Sequence, residues 1–194
     1  MYTKYMRHQI HKAKSIDDVL KVSISHSVNR RLPWLILGLI GGIVASGIIG
    51  NFEEVLSENL YLAAFIPLIV YMSDAVGTQM EAFAIRDLAL HQRLKLRKYF
   101  IKQLLITLVI ASIISSLLML YSSTTQPDFQ MALTISSAIF FAIISSIFTG
   151  ILIPFFILKQ LKVDPANASG PVATIIQDLI SITIYFLLAS HFLH

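Results

Sequence analysis

Apolar residues in this chain gather into five long runs that short polar segments separate. The runs cover about 34–50, 60–82, 100–121, 130–158 and 171–193. Each is close to the roughly 20 residues that an α-helix needs to cross the hydrocarbon core of a membrane. The pattern therefore predicts five membrane-spanning helices, which we number spans 1 to 5 in chain order.

Composition points to the same class of protein. Hydrophobic residues make up 56% of the 194 residues, charged residues make up only 13%, and the mean hydropathy is +0.74. These values are typical of an integral membrane protein, here an all-α one. The glycine-containing first run has no convincing cleavage site and leads into further spans, so we do not interpret it as a signal peptide.

The basic residues predict the orientation in the membrane. Seven of the 15 lysines and arginines precede span 1, six lie around the junction of spans 2 and 3, and two lie between spans 4 and 5. The segments 51–59 and 122–129 contain none. Because positive charge stays on the cytoplasmic side, the N-terminus is predicted inside and the C-terminus outside. The excess of basic residues reflects this topology, so we expect no nucleic-acid partner.

The residues before span 1 predict a short surface segment. Ser15 followed by Asp18 is typical of a helix start, and apolar residues on one face follow it. We predict that residues 1–29 form a short cytoplasmic amphipathic segment on the inner leaflet lipid, and that residues 30–194 form a five-helix domain.

Two aspartates lie inside the predicted spans. A charged side chain at the membrane centre costs about 2.5 kcal/mol or more, so such residues usually face a pathway or the bundle interior. Counted from the cytoplasmic ends, Asp74 of span 2 lies roughly 12 Å deep and Asp178 of span 5 roughly 10 Å deep. We predict that both belong to one cation site. The alternative is that each is protonated or hydrogen-bonded to a neighbouring helix.

Further polar residues extend this prediction. Thr174, Gln177 and Asp178 share one face of span 5 by their three- and four-residue spacing. Glu81 ends span 2 and Asp164 precedes span 5, so both are expected at the cytoplasmic mouth, where they could form a second and wetter acidic site.

Glycine and proline suggest how two of the spans are shaped. Pro67 and Gly77 predict a kink or a local opening of span 2 near residues 73–79, where freed carbonyl groups could face a cation. Span 1 carries small residues at intervals of four, a pattern that lets another helix approach closely: Gly38, Gly42, Ser46 and Gly50.

Signs of catalysis or of thiol chemistry are missing from the sequence. The chain has no cysteine, so disulfides and thiolate metal ligands are excluded, and only oxygen and imidazole ligands remain. We find no nucleophile–base pair, phosphate loop or zinc-protease pattern. We therefore do not expect an enzyme.

Several motifs together carry a family resemblance. They are Arg31-Leu32-Pro33-Trp34-Leu35, Phe52-Glu53, the stretch from Phe65-Ile66-Pro67 to Gly77-Thr78-Gln79, Arg86 with Leu88-Ala89-Leu90, and Asp164-Pro165-Ala166 through Ser169-Gly170-Pro171 to Asp178. In these residues, over about 30–194, the chain resembles the MgtE family of magnesium transporters.

The resemblance implies both an assembly and a site. It implies a homodimer whose ion pathway runs between spans 2 and 5 of both subunits, with Asp178 at the central magnesium site and Asp164 at an inner cation site. Family members commonly carry a large cytoplasmic magnesium-sensing region, and we expect gating by such a region to be missing here.

One departure from the family pattern affects the expected ion. Where the family typically reads Gly-Gly-Asn, this chain has Ser73-Asp74-Ala75, so a dimer could bring four carboxylates together. Mg²⁺ usually keeps several waters and uses one or two carboxylates. Mg²⁺ is therefore the first expectation, and Mn²⁺, Co²⁺ and Ca²⁺ stay open.

The sequence thus predicts a divalent metal cation channel or transporter of the inner or plasma membrane. One alternative is a proton- or sodium-coupled exchanger for another metal, with Asp74 carrying the proton. The other is a non-conducting membrane scaffold that has kept the same fold.

Overall fold

Helices account for the regular structure of the residues described here. The computed structural model describes residues 21–58, 60–90, 95–125, 128–157 and 165–193. The helices are α1 (Ile24–Gly50), α2 (Glu53–Glu58), α3 (Leu60–Leu90), α4 (Leu96–Thr125), α5 (Phe129–Ile147), α6 (Ile153–Phe156) and α7 (Pro165–Leu193). A π-helical turn, Phe148–Leu152, joins α5 to α6. The predicted helix start at Ser15 and Asp18 lies outside the described residues.

Five helical stretches are long and apolar enough to cross a membrane. They are Ile24–Gly50, Leu60–Leu88, Leu96–Thr125, Phe129–Phe156 and Ser169–Leu193. Spans 1, 2, 3 and 5 are therefore α1, α3, α4 and α7, and span 4 is α5 with the π-helical turn and α6. The prediction of five spans is confirmed, and their orientation stays a prediction.

Helix α7 lies at the centre of the packing. It contacts α1, α3 and α5, while α4 packs on the other side of α5. The core lies along α5, where all the alanines and every isoleucine except Ile144 are almost fully buried: Ala132, Ile135, Ala138, Ile139, Ala142, Ile143 and Ile147. Helix α1 buries only Gly41 and Ala45. Most of the apolar surface of α1 is therefore left for lipid or for another chain.

The predicted local opening of span 2 is wrong, while the alternative, a kink, stays a prediction. Helix α3 is α-helical from Leu60 to Leu90 without interruption, through both Pro67 and residues 73–79. Gly77 instead lies at a close helix crossing. A Cβ atom built on Gly150 would lie 2.6 Å from the Gly77 carbonyl oxygen and 2.9 Å from the Met80 Cβ atom. The absence of a side chain at Gly150 is what lets span 4 approach span 2 this closely.

The irregular turn in span 4 was not predicted, but its sequence explains it. Pro154 has no backbone N–H, and in an α-helix its ring would clash with the carbonyl group four residues earlier, that of Gly150. A π-helical turn over Phe148–Leu152 widens the backbone just before this proline. It also brings Thr149 and Gly150 into the interior.

The packing of span 1 differs by one residue from the predicted stripe. A Cβ atom on Gly41 would overlap the side chain of Ile175, whereas one on Gly42 or Gly50 would meet no atom within 4 Å. Within the chain, α7 therefore approaches α1 at Gly41. One turn further toward the C-terminal end of α1, Ala45 packs in one cluster with Ile182 of α7.

Candidate cation site

Helices α3 and α7 run antiparallel in a register that direct contacts fix. Near the predicted outer end, the Tyr185 hydroxyl group donates a hydrogen bond of 2.7 Å to the Leu62 carbonyl oxygen. Near the middle, the hydroxyl groups of Ser73 and Ser181 lie 2.7 Å apart. Because both helices are continuous between these contacts, residues around 74 and around 178 lie at the same level of the bundle.

This register brings three predicted site residues together. The Thr174 hydroxyl group lies beside the Asp74 carboxylate, close enough to act on it electrostatically. The charge of Asp74 also acts on the Asp178 carboxylate, so the two acids are electrostatic neighbours. Both aspartates and Thr174 are half-buried. Among the described lysines and arginines, none forms an ion pair with either aspartate. Whether these oxygens bind a cation stays a prediction.

Asp178 and Thr174 lie along an open groove. The groove has a volume of about 470 Å³, and α1 and α7 form its two sides. Helix α1 contributes Leu35 and three glycines, and helix α7 contributes Pro171, Thr174, Ile175 and Asp178. Asp74 is not one of the described residues that line the groove, and it reaches the cluster through Thr174.

Gln177 faces the bundle interior and does not line the groove. Its side chain is 1% exposed, and its amide nitrogen lies 3.1 Å from the Ala142 carbonyl oxygen, 3.0 Å from the Ser145 hydroxyl oxygen and 2.9 Å from the Ser181 hydroxyl oxygen. Thr149 of the π-helical turn donates a hydrogen bond of 2.8 Å to the amide oxygen. The prediction that Gln177 shares one face with Thr174 and Asp178 is therefore wrong.

The helix geometry accounts for this division. Ala173, Gln177 and Ser181 are spaced by four residues and are all buried, so they form the stripe of α7 that faces α3 and α5. Thr174 directly follows Ala173, and Asp178 directly follows Gln177. Thr174 and Asp178 therefore form the neighbouring stripe around the helix. The sequence did carry a signal that could have separated the two faces. Gln177 lies four residues from the small residues Ala173 and Ser181, a spacing typical of a helix face that packs closely against its neighbours.

Glu81 lies apart from the groove, toward the C-terminal and predicted inner end of α3. It is 7% exposed and accepts a hydrogen bond from the Ser169 hydroxyl group, near the start of α7. Asp74 also acts electrostatically on Glu81. Within one protomer Glu81 is thus a buried contact between spans 2 and 5, and a wetter acidic site at this position stays a prediction. Asp164, its predicted neighbour, lies outside the described residues.

A complete metal cage is not present in the described part of the chain. No three of its histidine, aspartate and glutamate residues are close enough to hold one ion. One protomer instead offers a pair of carboxylates and a hydroxyl group beside an open groove. These are oxygen ligands, the type that hard divalent cations prefer, but too few to replace all the waters of such an ion.

Comparison with known proteins adds evidence that is independent of this geometry. A family model described as "MgtE: Divalent cation transporter" matches residues 66–188, a range that includes all five predicted site residues. The chain is 36% identical to "Magnesium transporter MgtE" of Bacillus subtilis over 167 residues, which are 85% of this chain and 37% of that protein.

Two further relatives carry the same name. The one from Enterococcus faecalis is 34% identical over 86% of this chain and 37% of its own length. The one from Thermus thermophilus is 27% identical over 82% of this chain and 35% of its own length. The chain therefore spans little more than a third of the curated relatives it matches.

Proposed function

Because the chain belongs to the MgtE family of divalent cation transporters, we propose that it moves Mg²⁺ across the membrane along a pathway that spans 2 and 5 line. The family and the five spans make it a multi-pass protein of the plasma membrane. Asp178 and Asp74 contact the passing ion or its water shell, and Thr174 orients Asp74.

The observation that carries this proposal is the cluster of Asp74, Thr174 and Asp178 beside the groove. Two carboxylates at one depth of an apolar bundle, with no basic partner among the described residues, are costly unless a cation or water compensates them. A passing divalent ion provides this compensation. The buried hydrogen bonds that Gln177 makes between the helices involve neither carboxylate. Helix packing alone therefore does not explain why the two carboxylates are there.

The size of the groove suits a hydrated ion. Mg²⁺ takes six oxygen ligands and loses its waters reluctantly, and six waters of about 30 Å³ each occupy about 180 Å³. The groove of about 470 Å³ has room for this volume. We therefore infer that Asp178 contacts Mg²⁺ mainly through water.

We further propose that the working unit is a homodimer. The incomplete ligand set of one protomer, the groove that opens at its surface and the small buried fraction of span 1, 6%, all support this assembly. A second copy would bring another Asp74 and Asp178 to the same pathway, which is the symmetry expected of most homo-oligomers.

The proposed direction is into the cell. With the orientation that the basic residues predict, a membrane potential of about 100 mV, negative inside, favours influx of a doubly charged ion by about 4.6 kcal/mol. Conduction needs no other energy source when the outside concentration is comparable to the inside one.

Mg²⁺ uptake into proteoliposomes with an imposed negative-inside potential tests the proposal. We expect saturable uptake by the wild type, none by protein-free liposomes, and a loss of at least about tenfold in Asp178→Asn, since one carboxylate contact to a divalent ion is worth about 1.4 kcal/mol or more. The matched control is Asp128→Asn, because Asp128 caps α5 and asparagine caps equally well. Absence of uptake by the wild type, or equal losses in both variants, would contradict the proposal.

A further inference from the structure

One almost fully buried amide side chain in the membrane part of the chain, that of Gln177, hydrogen-bonds to neither carboxylate of the site. Gln177 is 1% exposed, and Ser181, one turn away on the same face, is fully buried. Buried amide groups at membrane depth are costly unless they are hydrogen-bonded. An apolar residue at this position would not carry this cost.

The contacts of Gln177 join three spans. Its amide nitrogen contacts Ala142 and Ser145 of α5, its amide oxygen accepts from Thr149 of the π-helical turn, and Ser181 links it to Ser73 of α3. The Ala142 carbonyl group can only accept, so the orientation of the amide is fixed by chemistry. The network therefore sets the rotation of α7 against spans 2 and 4 at one level.

That level is the level of the candidate site. Ser73 directly precedes Asp74, and Gln177 directly precedes Asp178. Successive residues of a helix point about 100° apart, so holding residues 73 and 177 toward each other in the interior turns residues 74 and 178 toward the groove side. The network holds Ser73 and Gln177, and these two residues set the directions of the Asp74 and Asp178 side chains that follow them.

We propose that Gln177 is a positioning residue for cation transport, and that the network of Gln177, Thr149, Ser181 and Ser73 holds the Asp74 and Asp178 carboxylates in one geometry. The inference rests on the proposed function for its transport readout, and on the fold alone for its structural readout. It gives the π-helical turn a role, because that turn is what brings Thr149 to the amide oxygen.

A matched set of threonine variants separates positioning from bulk stability. Thr149→Val keeps the shape and removes the hydroxyl group, whereas Thr149→Ser keeps the hydroxyl group. Thr134→Val is the control, because Thr134 is equally buried in span 4 and bonds only to Gln130 of its own helix. Gln177→Met removes the whole set of amide contacts at nearly constant volume.

The first readout does not depend on transport. The chain has no cysteine, so a cysteine pair placed at positions 74 and 174 reports only the contact between α3 and α7. A short thiol cross-linker should join this pair at least about fivefold more slowly in the Thr149→Val and Gln177→Met backgrounds, the effect expected from losing one internal hydrogen bond. The Thr134→Val and Thr149→Ser backgrounds should match the parent.

The second readout is the Mg²⁺ dependence of uptake in proteoliposomes. Thr149→Val should raise the half-saturating Mg²⁺ concentration about fivefold while the maximal rate per folded protein is kept, and Thr149→Ser should restore the parent value. Unchanged cross-linking in both Thr149→Val and Gln177→Met, or the same changes in Thr134→Val, would overturn the inference. If the wild type carries no Mg²⁺, the proposed function fails, and the cross-linking rates still decide whether the network positions the two helices.

Discussion

Three acidic side chains of spans 2 and 5, those of Asp74, Glu81 and Asp178, have different surroundings. Asp74 and Asp178 are half-buried at the level of the groove, whereas Glu81 is buried against Ser169 near the predicted inner end of α3. A half-buried carboxylate at the level of the groove can exchange water for an ion. The buried Glu81 carboxylate is instead held by the hydrogen bond that Ser169 donates. These surroundings support the proposal that the two aspartates contact the ion, and they make Glu81 a clasp between the neighbouring ends of the two helices, that is, a hydrogen-bonded contact that joins them.

This assignment predicts that the partner of Glu81 matters for stability. Ser169→Ala removes the hydroxyl donor and leaves a buried carboxylate without it, which should lower the free energy of unfolding by about 1 to 3 kcal/mol. Thermal unfolding in detergent measures the effect. The control is Ser112→Ala, because Ser112 is exposed and bonds only to the Leu108 carbonyl oxygen of its own helix. Equal unfolding temperatures for the two variants would show that the clasp contributes nothing.

Helices α3 and α7 are positioned by features that lie outside them. The π-helical turn of span 4 places Gly150 against Gly77 of α3 and Thr149 against Gln177 of α7. A regular α-helix across this stretch would need an N–H that Pro154 does not have. Span 4 thus contacts both helices of the proposed pathway from the side away from the groove.

The close crossing predicts a large difference between two glycines. Gly150→Ala should destabilise the protein by about 1 to 3 kcal/mol, because the added methyl group overlaps Gly77 and Met80 in a packed interior. Gly47→Ala should be neutral or stabilising by up to about 1 kcal/mol, since its methyl group meets open space in a helix. Unfolding temperatures of the two purified variants test this, and a Gly150→Ala protein as stable as Gly47→Ala would refute the crossing.

The sequence identified the spans and the site residues better than it identified the direction each one faces. Run length and charge are local properties, so the five spans and the cluster of Asp74, Thr174 and Asp178 could be read from them. The rotation of a helix depends on its neighbours. Gln177 therefore appeared to share the face of Asp178, and Gly42 appeared to mark the helix contact that Gly41 makes.

The proposed homodimer would cover what one chain leaves uncovered. Span 1 contacts mainly α7, and beside it the groove leaves Asp178 half-exposed. A lone protomer would present this acid to lipid, which is unfavourable. Two protomers that face each other across the groove would enclose Asp178 and Thr174 of both copies in one pathway.

A shared pathway predicts how mixtures of subunits behave. When equal amounts of wild-type and Asp178→Asn chains are co-assembled at random, only about one quarter of the dimers carry two intact subunits. If both aspartates are needed, Mg²⁺ uptake per protein should fall to about that fraction of the wild-type value. A fall to about one half, proportional to the wild-type share, would show instead that each subunit conducts independently.

The central claim is that carboxylates from spans 2 and 5 act on the same ion, and Asp74→Asn tests it most directly. We would measure initial Mg²⁺ uptake against Mg²⁺ concentration in proteoliposomes for the wild type, Asp74→Asn, Asp178→Asn and the Asp128→Asn control. The account predicts impaired uptake in both intramembrane variants, with the half-saturating concentration of Asp74→Asn raised about tenfold, and a control equal to the wild type. Wild-type uptake by Asp74→Asn alongside failure of Asp178→Asn would contradict the shared site and leave Asp74 outside the ion pathway.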